Sequence, residues 1–326
     1  FQTLFFRSYL ALGAAIAFSE GYPGQLKIFR KGLEQTYKML ENNSQMPLLV
    51  KLHLIFLQRI GTLLEYWSDT LLEEDFKEGE IAIKLAEALK LHLEAHRITQ
   101  EMVADLPNNS VVLRSEAASA NNIGSAYARL GNGVKSLKYT KIALEKFRIL
   151  ADFDANNKEA QRDVADGLQY AAMSYETLGV IKLAIENCTE AMRYIKPLTV
   201  ADPSNYEFLE QTFNLTKKLG DLELKRNDFS AAADYYQSAL FLVERQIAVA
   251  DNDLTRLLRA IALEKLGDLF DWLAADMSDK NNSFPKQAAS FYRQSLDEVK
   301  FLKKADRLTF THFYKIGLLE KKLFKL

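Results

Sequence analysis

A single cysteine among 326 residues excludes a disulfide framework within the chain. It leaves the compartment open, with the cytoplasm slightly favoured. Proline is scarce at six and glycine at fourteen, and both sit mostly between periodic segments, which suits an all-helical chain. No segment alternates apolar and polar residues long enough to suggest a sheet. Charge of one sign is also missing. The net charge is −1, so nothing global favours nucleic acid or an anionic membrane as partner. Long hydrophobic runs are few. The most suggestive, Phe1–Phe18, is interrupted by Arg7, and its uncharged part, Ser8–Ser19, falls short of the roughly 20 residues a spanning helix needs. It lacks the basic start and small-residue cleavage site of a signal peptide, so it is expected to be a buried packing helix. The chain opens with Phe rather than Met and is expected to be a piece of something longer.

What is present is 48% hydrophobic and 26% charged residues, the balance of a folded protein, and a 48-residue internal period. Ala88, Ser136, Ala184 and Ala232 are evenly spaced at that interval, and Ala95, Ala143, Ala191 and Ala239 repeat it seven residues on. Such a period means stacked supersecondary units, each covering its neighbour's apolar face. Helical spacing is clear in Ile123, Tyr127 and Leu130, and again in Leu137, Ile142, Leu144 and Phe147.

The expected layout places N-terminal packing helices in 1–45, as Gln2–Ser19 and Gln25–Glu41 joined by a turn at Gly21-Tyr22-Pro23-Gly24. Five helical hairpins, each a helix A and a helix B, follow over 46–303, at about 46–104, 110–153, 157–201, 204–251 and 253–303. A capping helix closes the chain within 304–326. Pro47, Pro203 and Pro285 fall where helices are expected to begin, with Asp202 as the N-cap before Pro203. Pro197 is expected to kink or end its helix. Extensions at Trp67–Glu78 and Asp276–Ser283 interrupt the period.

Within each unit the residues resemble a tetratricopeptide repeat. Gly124, Tyr127, Gly131, Ser136 and Ala143 stand at that motif's positions in one unit, and Ala172, Tyr175, Gly179, Ala184 and Ala191 in the next. Gly220, Ala232, Tyr236 and Ala239, then Gly267, Phe270, Ala288, Tyr292 and Ser295, continue the pattern. The resemblance implies an all-α, right-handed superhelical solenoid of tetratricopeptide-like hairpins, here with longer helices. A wider resemblance rests on Tyr22-Pro23-Gly24, the interrupted first hairpin and the repeated Ala-Asp-x-x-x-Asn linkers. It points to the region behind the kinase domain of bacterial Ser/Thr protein kinases. That implies a fused catalytic or regulatory domain upstream, although this segment has no Gly-rich loop, His-Arg-Asp or Asp-Phe-Gly motif of its own.

The fold resemblance directs attention to the concave helix A row as a groove for a protein or peptide partner. Its residues are expected to be Asn121, Ser125, Asp166, Gln169, Met173, Glu176, Asn214, Lys217, Asp221, Glu264, Asp268 and Asp271. The row is polar and mixed, with acidic weight in the third and fifth units. It lacks the cationic donors of a chaperone-tail clamp. The expected function is therefore a non-catalytic protein-interaction or sensor module. The alternative is a ligand-sensing domain of a larger signalling enzyme such as a Ser/Thr kinase.

Other candidates read as structure. His92 and His96 lie four apart on a helix, but no third ligand is evident, and His92 holds the interface slot of Thr140, Cys188 and Tyr236; no metal and no cofactor are expected. Cys188 reads as a small core residue rather than a nucleophile. Glu73-Glu74-Asp75 and Asp297-Glu298 read as solvated surface, so no catalytic residue is assigned. The basic, amphipathic stretch Lys300–Leu326, with Phe310, Phe313, Ile316, Leu319 and Leu323 near one side, reads as the terminal cap rather than a membrane-surface helix.

Overall fold

The computed structural model describes residues 2–42, 47–73, 78–154, 156–276, 283–308 and 312–326. The polar insertion after Asp276, the acidic Glu74-Asp75, Ala155 and Phe310 lie outside them. The described residues are helical, without a strand. The helices are α1 (Gln2–Asn42), α2 (Pro47–Glu73), α3 (Glu78–Asp105), α4 (Ser110–Arg129), α5 (Gly133–Phe153) and α6 (Lys158–Thr177). They continue with α7 (Ile181–Ala201), α8 (Tyr206–Lys225), α9 (Phe229–Val249), α10 (Asp253–Asp276), α11 (Phe284–Lys304) and α12 (Tyr314–Lys325). Two compact units result, Phe1–Gly179 and Val180–Leu308 with His312–Leu326. The division falls at the α6–α7 turn, inside the hairpin expected over 157–201.

The period is written in the helix ends as well as in the core. Asn109, Asn157 and Asn205, 48 residues apart, cap α4, α6 and α8, each side-chain oxygen accepting from backbone N–H groups of the first turn. Gly131, Gly179 and Asn227 share a second register and all adopt positive φ, at 76°, 75° and 61°. That left-handed residue turns the chain out of helix A, and within the units α4 packs on α5 and α8 on α9 across such a turn. Ala88, Ser136, Ala184, Ala232 and Ala288 are all fully buried where helix B meets its neighbours.

In the first unit each helix packs on the next in sequence, and the A helices α2, α4 and α6 also touch side by side. The second unit repeats this from α7 to α12, with α8 against α10. Pro47–Leu72 of α2 has the length and composition of a membrane-crossing helix, with a mean hydropathy of 1.4. Here 56% of that window is buried, and Phe56, Leu57, Ile60 and Leu64 form the floor of the core against α1 and α3.

Gly21, at φ 61° and ψ −149°, breaks α1 into two helical segments within the stretch expected to turn, with Pro23 in the first turn of the second. Two expectations about proline are corrected. Pro203 lies in a turn and not in a helix: α8 starts at Tyr206, capped by Asn205, while Asp202 ends α7. Pro197 does not end α7, which runs on to Ala201. It is exposed, so water can reach the carbonyl that it leaves without an N–H donor.

Candidate functional site

The A helices of the first unit enclose a cleft of about 620 Å³. Lys51, Gln58 and Arg59 of α2 form one wall, Arg114, Ser115 and Asn122 of α4 the middle, and Arg162, Asp166 and Tyr170 of α6 the other. The helical spacing of each set explains its arrangement, since residues three, four or seven apart share a face. Asn121 lies at the bottom. It is 4% exposed, and its Oδ1 has no hydrogen-bond donor.

The cleft's charge is unevenly committed. Arg114 holds Asp163 through Nε and Nη2, the latter at 2.9 Å, and reaches Glu159 with Nη1 at 2.6 Å. The carboxylates beside it raise the pKa of its guanidinium against the opposing effect of burial. Lys51 and Arg59, by contrast, are exposed and have no acidic partner among the described residues. The cleft is therefore cationic at its mouth and amide-lined below, an arrangement suited to a backbone amide and a carboxylate. Nothing in it resembles a nucleophile positioned beside a base.

Beside Tyr170 lies an ionic cluster whose core, Glu65 and His92, is buried. Arg129 pairs with Asp69 through Nε at 3.1 Å and Nη2 at 2.8 Å, and reaches Glu65 at 3.1 Å. Glu65 also accepts from Ser125 Oγ at 2.6 Å and pairs with His92 Nε2 at 3.1 Å. Burial opposes the charge on Arg129, but Asp69 and Glu65 more than offset it and keep it protonated. Burial, then Tyr66, Glu65 and Asp166, push the neighbouring Tyr170 hydroxyl far above the usual phenol range.

No protein-family model and no curated protein sequence matches the chain. Solved structures do. The crystal structure of a Rap protein complexed with competence and sporulation factor matches with a TM-score of 0.51 at 13% identity, over 98% of this chain and 74% of that one. BtubC (BKLC) from P. vanneervenii gives 0.49 at 14% identity, over 74% and 85%. The apo form of the quorum sensor NprR from B. thuringiensis gives 0.47 at 14%, over 98% and 81%. The fold is that of tetratricopeptide-type helical repeats. At these identities the likeness concerns architecture alone.

Measured on that fold, the twelve expected groove residues separate. Asn121 and Asp166 meet in the first-unit cleft. Ser125 is turned inward to Glu65 and Arg129, and Gln169, Met173 and Glu176 are half-buried along α6. In the second unit Lys217 binds Asp221 at 3.3 Å, and Asp221 also accepts from Lys265 at 3.0 Å and from the Tyr236 hydroxyl at 2.7 Å. Burial works against the Asp221 carboxylate, yet the two lysines hold its pKa well below the usual range. Glu264 takes both Lys315 and Lys322 of α12, at 3.1 and 2.8 Å, and Asp268 takes Lys322 at 2.7 Å. The acidic weight of the fifth unit is thus largely neutralised from within the chain. Asn214 is half-buried and Asp271 exposed.

Sequence reasoning missed Lys51, Arg59 and Arg162. One signal was available: Arg114 and Arg162 occupy the same register, 48 apart. His92 and His96 diverge, His92 toward Glu65 on α2 and His96 toward Ser119 on α4 at 2.9 Å. Among the described residues no group of three or more His, Cys, Asp and Glu could hold a metal. Cys188 is buried.

Proposed function

We propose that this chain is a non-catalytic protein-interaction module that takes an extended protein or peptide segment along the helix A face of its first unit, between α2, α4 and α6. The observation that carries this reading is the Asn121 oxygen, sealed from water at the bottom of the cleft with no donor. An orphaned acceptor of this kind costs about 1–3 kcal/mol, and turning the amide to meet a backbone N–H of an entering segment relieves that cost. Lys51 and Arg59 bias the segment toward acidic side chains. A Rap protein of this fold is complexed with competence and sporulation factor, which supports the reading by analogy of fold.

Gln169, Met173 and Glu176 extend the same surface along α6, with Asn214, Lys217, Asp221 and Asp271 as a secondary row on the second unit. Glu264 and Asp268 contribute least, because α12 already engages them. Panning a display library of random peptides on the whole chain tests the proposal. It is expected to enrich acidic sequences whose binding falls in Lys51→Glu/Arg59→Glu and in Asn121→Ala. Enriched peptides that bind these variants as well as they bind the unaltered chain place the site elsewhere.

A further inference from the structure

The second unit carries another groove, on the opposite kind of helix. It measures about 690 Å³ and runs between the B helices α7 and α9, over Thr212 and Thr216 of α8. The α7 wall is Met192, Lys196 and Val200, spaced four apart along one face for about 12 Å at the helical rise per residue. The α9 wall is Asp234, Tyr235, Phe241, Leu242 and Arg245. The floor hydroxyls are satisfied within the protein, Thr212 with Thr199 at 2.7 Å and Thr216 with the Thr212 carbonyl at 2.7 Å.

The repeat itself shows that this groove is unusual. Arg97, Glu145, Arg193, Phe241 and Asp297 share one register of helix B, each held relative to the buried slot of His92, Thr140, Cys188, Tyr236 and Tyr292. All five positions are exposed, and four carry a charge, the ordinary choice for a face turned to water. Phe241 is the exception and leaves 62% of its surface in solvent. Across the groove Val200 is 73% exposed, at a register held by Ala104, Asp152, Ala248 and Lys304 in the other units. Phe241 stands where every other unit carries a charge and Val200 where the others carry alanine or a charge, and the two line one cavity.

The charges of the groove say what covers it. Lys196, Arg245 and one acid, Asp234, line it, so the groove is net positive, and neither cation has a carboxylate partner among the described residues. Arg245 rests over the Phe241 ring at 5.8 Å from its centroid. We propose that the α7–α9 groove docks an amphipathic helix of a protein partner, with an apolar stripe set between Phe241, Val200 and Met192 and an acidic residue one turn away, between Lys196 and Arg245. A helix laid there is held in the helix-in-groove manner, by anchors three to four residues apart. Phe241 is the anchor, and the two cations select the acidic partner over a neutral or basic one. This surface is independent of the α2–α4–α6 cleft, so its test stands apart from that one.

The probe is a short labelled helical peptide with leucine along one stripe and glutamate beside it, compared with a twin carrying lysine for glutamate, on the whole chain. The glutamate peptide is expected to bind the unaltered protein and to lose about tenfold or more with Phe241→Asp and with Lys196→Glu/Arg245→Glu. The lysine twin is expected to prefer the charge-reversed protein. Because these side chains are exposed, unchanged circular dichroism is expected in all variants. Failure of the glutamate peptide to bind, equal binding by Phe241→Asp, or equal binding of the two peptides by the unaltered chain overturns the proposal. So does self-association in sedimentation that Phe241→Asp abolishes, since the occupant would then be a second copy of this chain.

Discussion

The ring of Tyr236 lies directly over the Cα of Gly220, so that a Cβ added at Gly220 would meet Tyr236 Cε1 at 2.6 Å. The same fit recurs at Gly267 under Tyr292, where a Cβ would meet Cδ1 at 2.5 Å, and smaller slot residues sit over Gly124 and Gly61 as Thr140 and His92. Helix A and helix B approach this closely because one supplies no side chain at the point where the other supplies its largest. Gly220→Ala and Gly267→Ala are each expected to lower unfolding free energy by about 1–3 kcal/mol through overpacking. Gly317→Ala in α12, with open space around it, is expected to be neutral or to stabilise by up to about 1 kcal/mol. Urea unfolding of the three variants checks the contrast.

Arg129 is the cation on which Glu65 and Asp69 both depend. Arg129→Met leaves the buried Glu65 carboxylate with only His92 and Ser125, and is expected to cost about 3–5 kcal/mol. Arg129→Lys is expected to recover only part of that, because a single ammonium cannot reproduce the two-pronged contact to Asp69. Thermal unfolding of both variants gives the order.

Burial lowers the pKa of His96, with Glu116 opposing and Lys146 assisting, and burial likewise lowers His53 against Glu94. The unfolded chain therefore binds these protons more readily than the folded one. Their contribution is complete above the unfolded value of 6.5 and is lost as pH falls through the lower folded values. Unfolding free energy measured from neutral to mildly acidic pH is expected to decline below about 6.5, and less steeply in His96→Gln. A decline of equal slope in that variant excludes His96 as a source.

Lys315 is 6% exposed and answers Glu264, while Leu319 of the same helix is fully buried. Glu264→Gln removes the charge shared by Lys315 and Lys322, and amide exchange across Tyr314–Lys325 is expected to quicken by about an order of magnitude or more. Exchange unchanged from the unaltered chain shows that apolar packing alone holds α12.

Much of this architecture was legible in the alanines, because a small residue at a fixed period has one physical use, close helix approach. The buried slot was legible too: His92, Thr140, Cys188 and Tyr236 are all fully buried. The site was less so. Ser125 reads as a surface polar residue, yet an acid 60 positions earlier draws it inward. Glu264 and Asp268 read as an open acidic row, yet α12 folds back over them. Lys51 and Arg59 belong to the first hairpin, whose extension hides its register, so periodicity did not bring them beside Asn121. The kinase-linked context rests on the sequence resemblance alone.

The central claim, that the α2–α4–α6 face receives a protein segment, is tested most directly by amide exchange of the whole chain with and without an enriched acidic peptide. The account predicts slowed exchange concentrated in α2, α4 and α6, absent in Asn121→Ala at the same peptide concentration. Protection confined to α8–α11, or protection that Asn121→Ala retains in full, contradicts it.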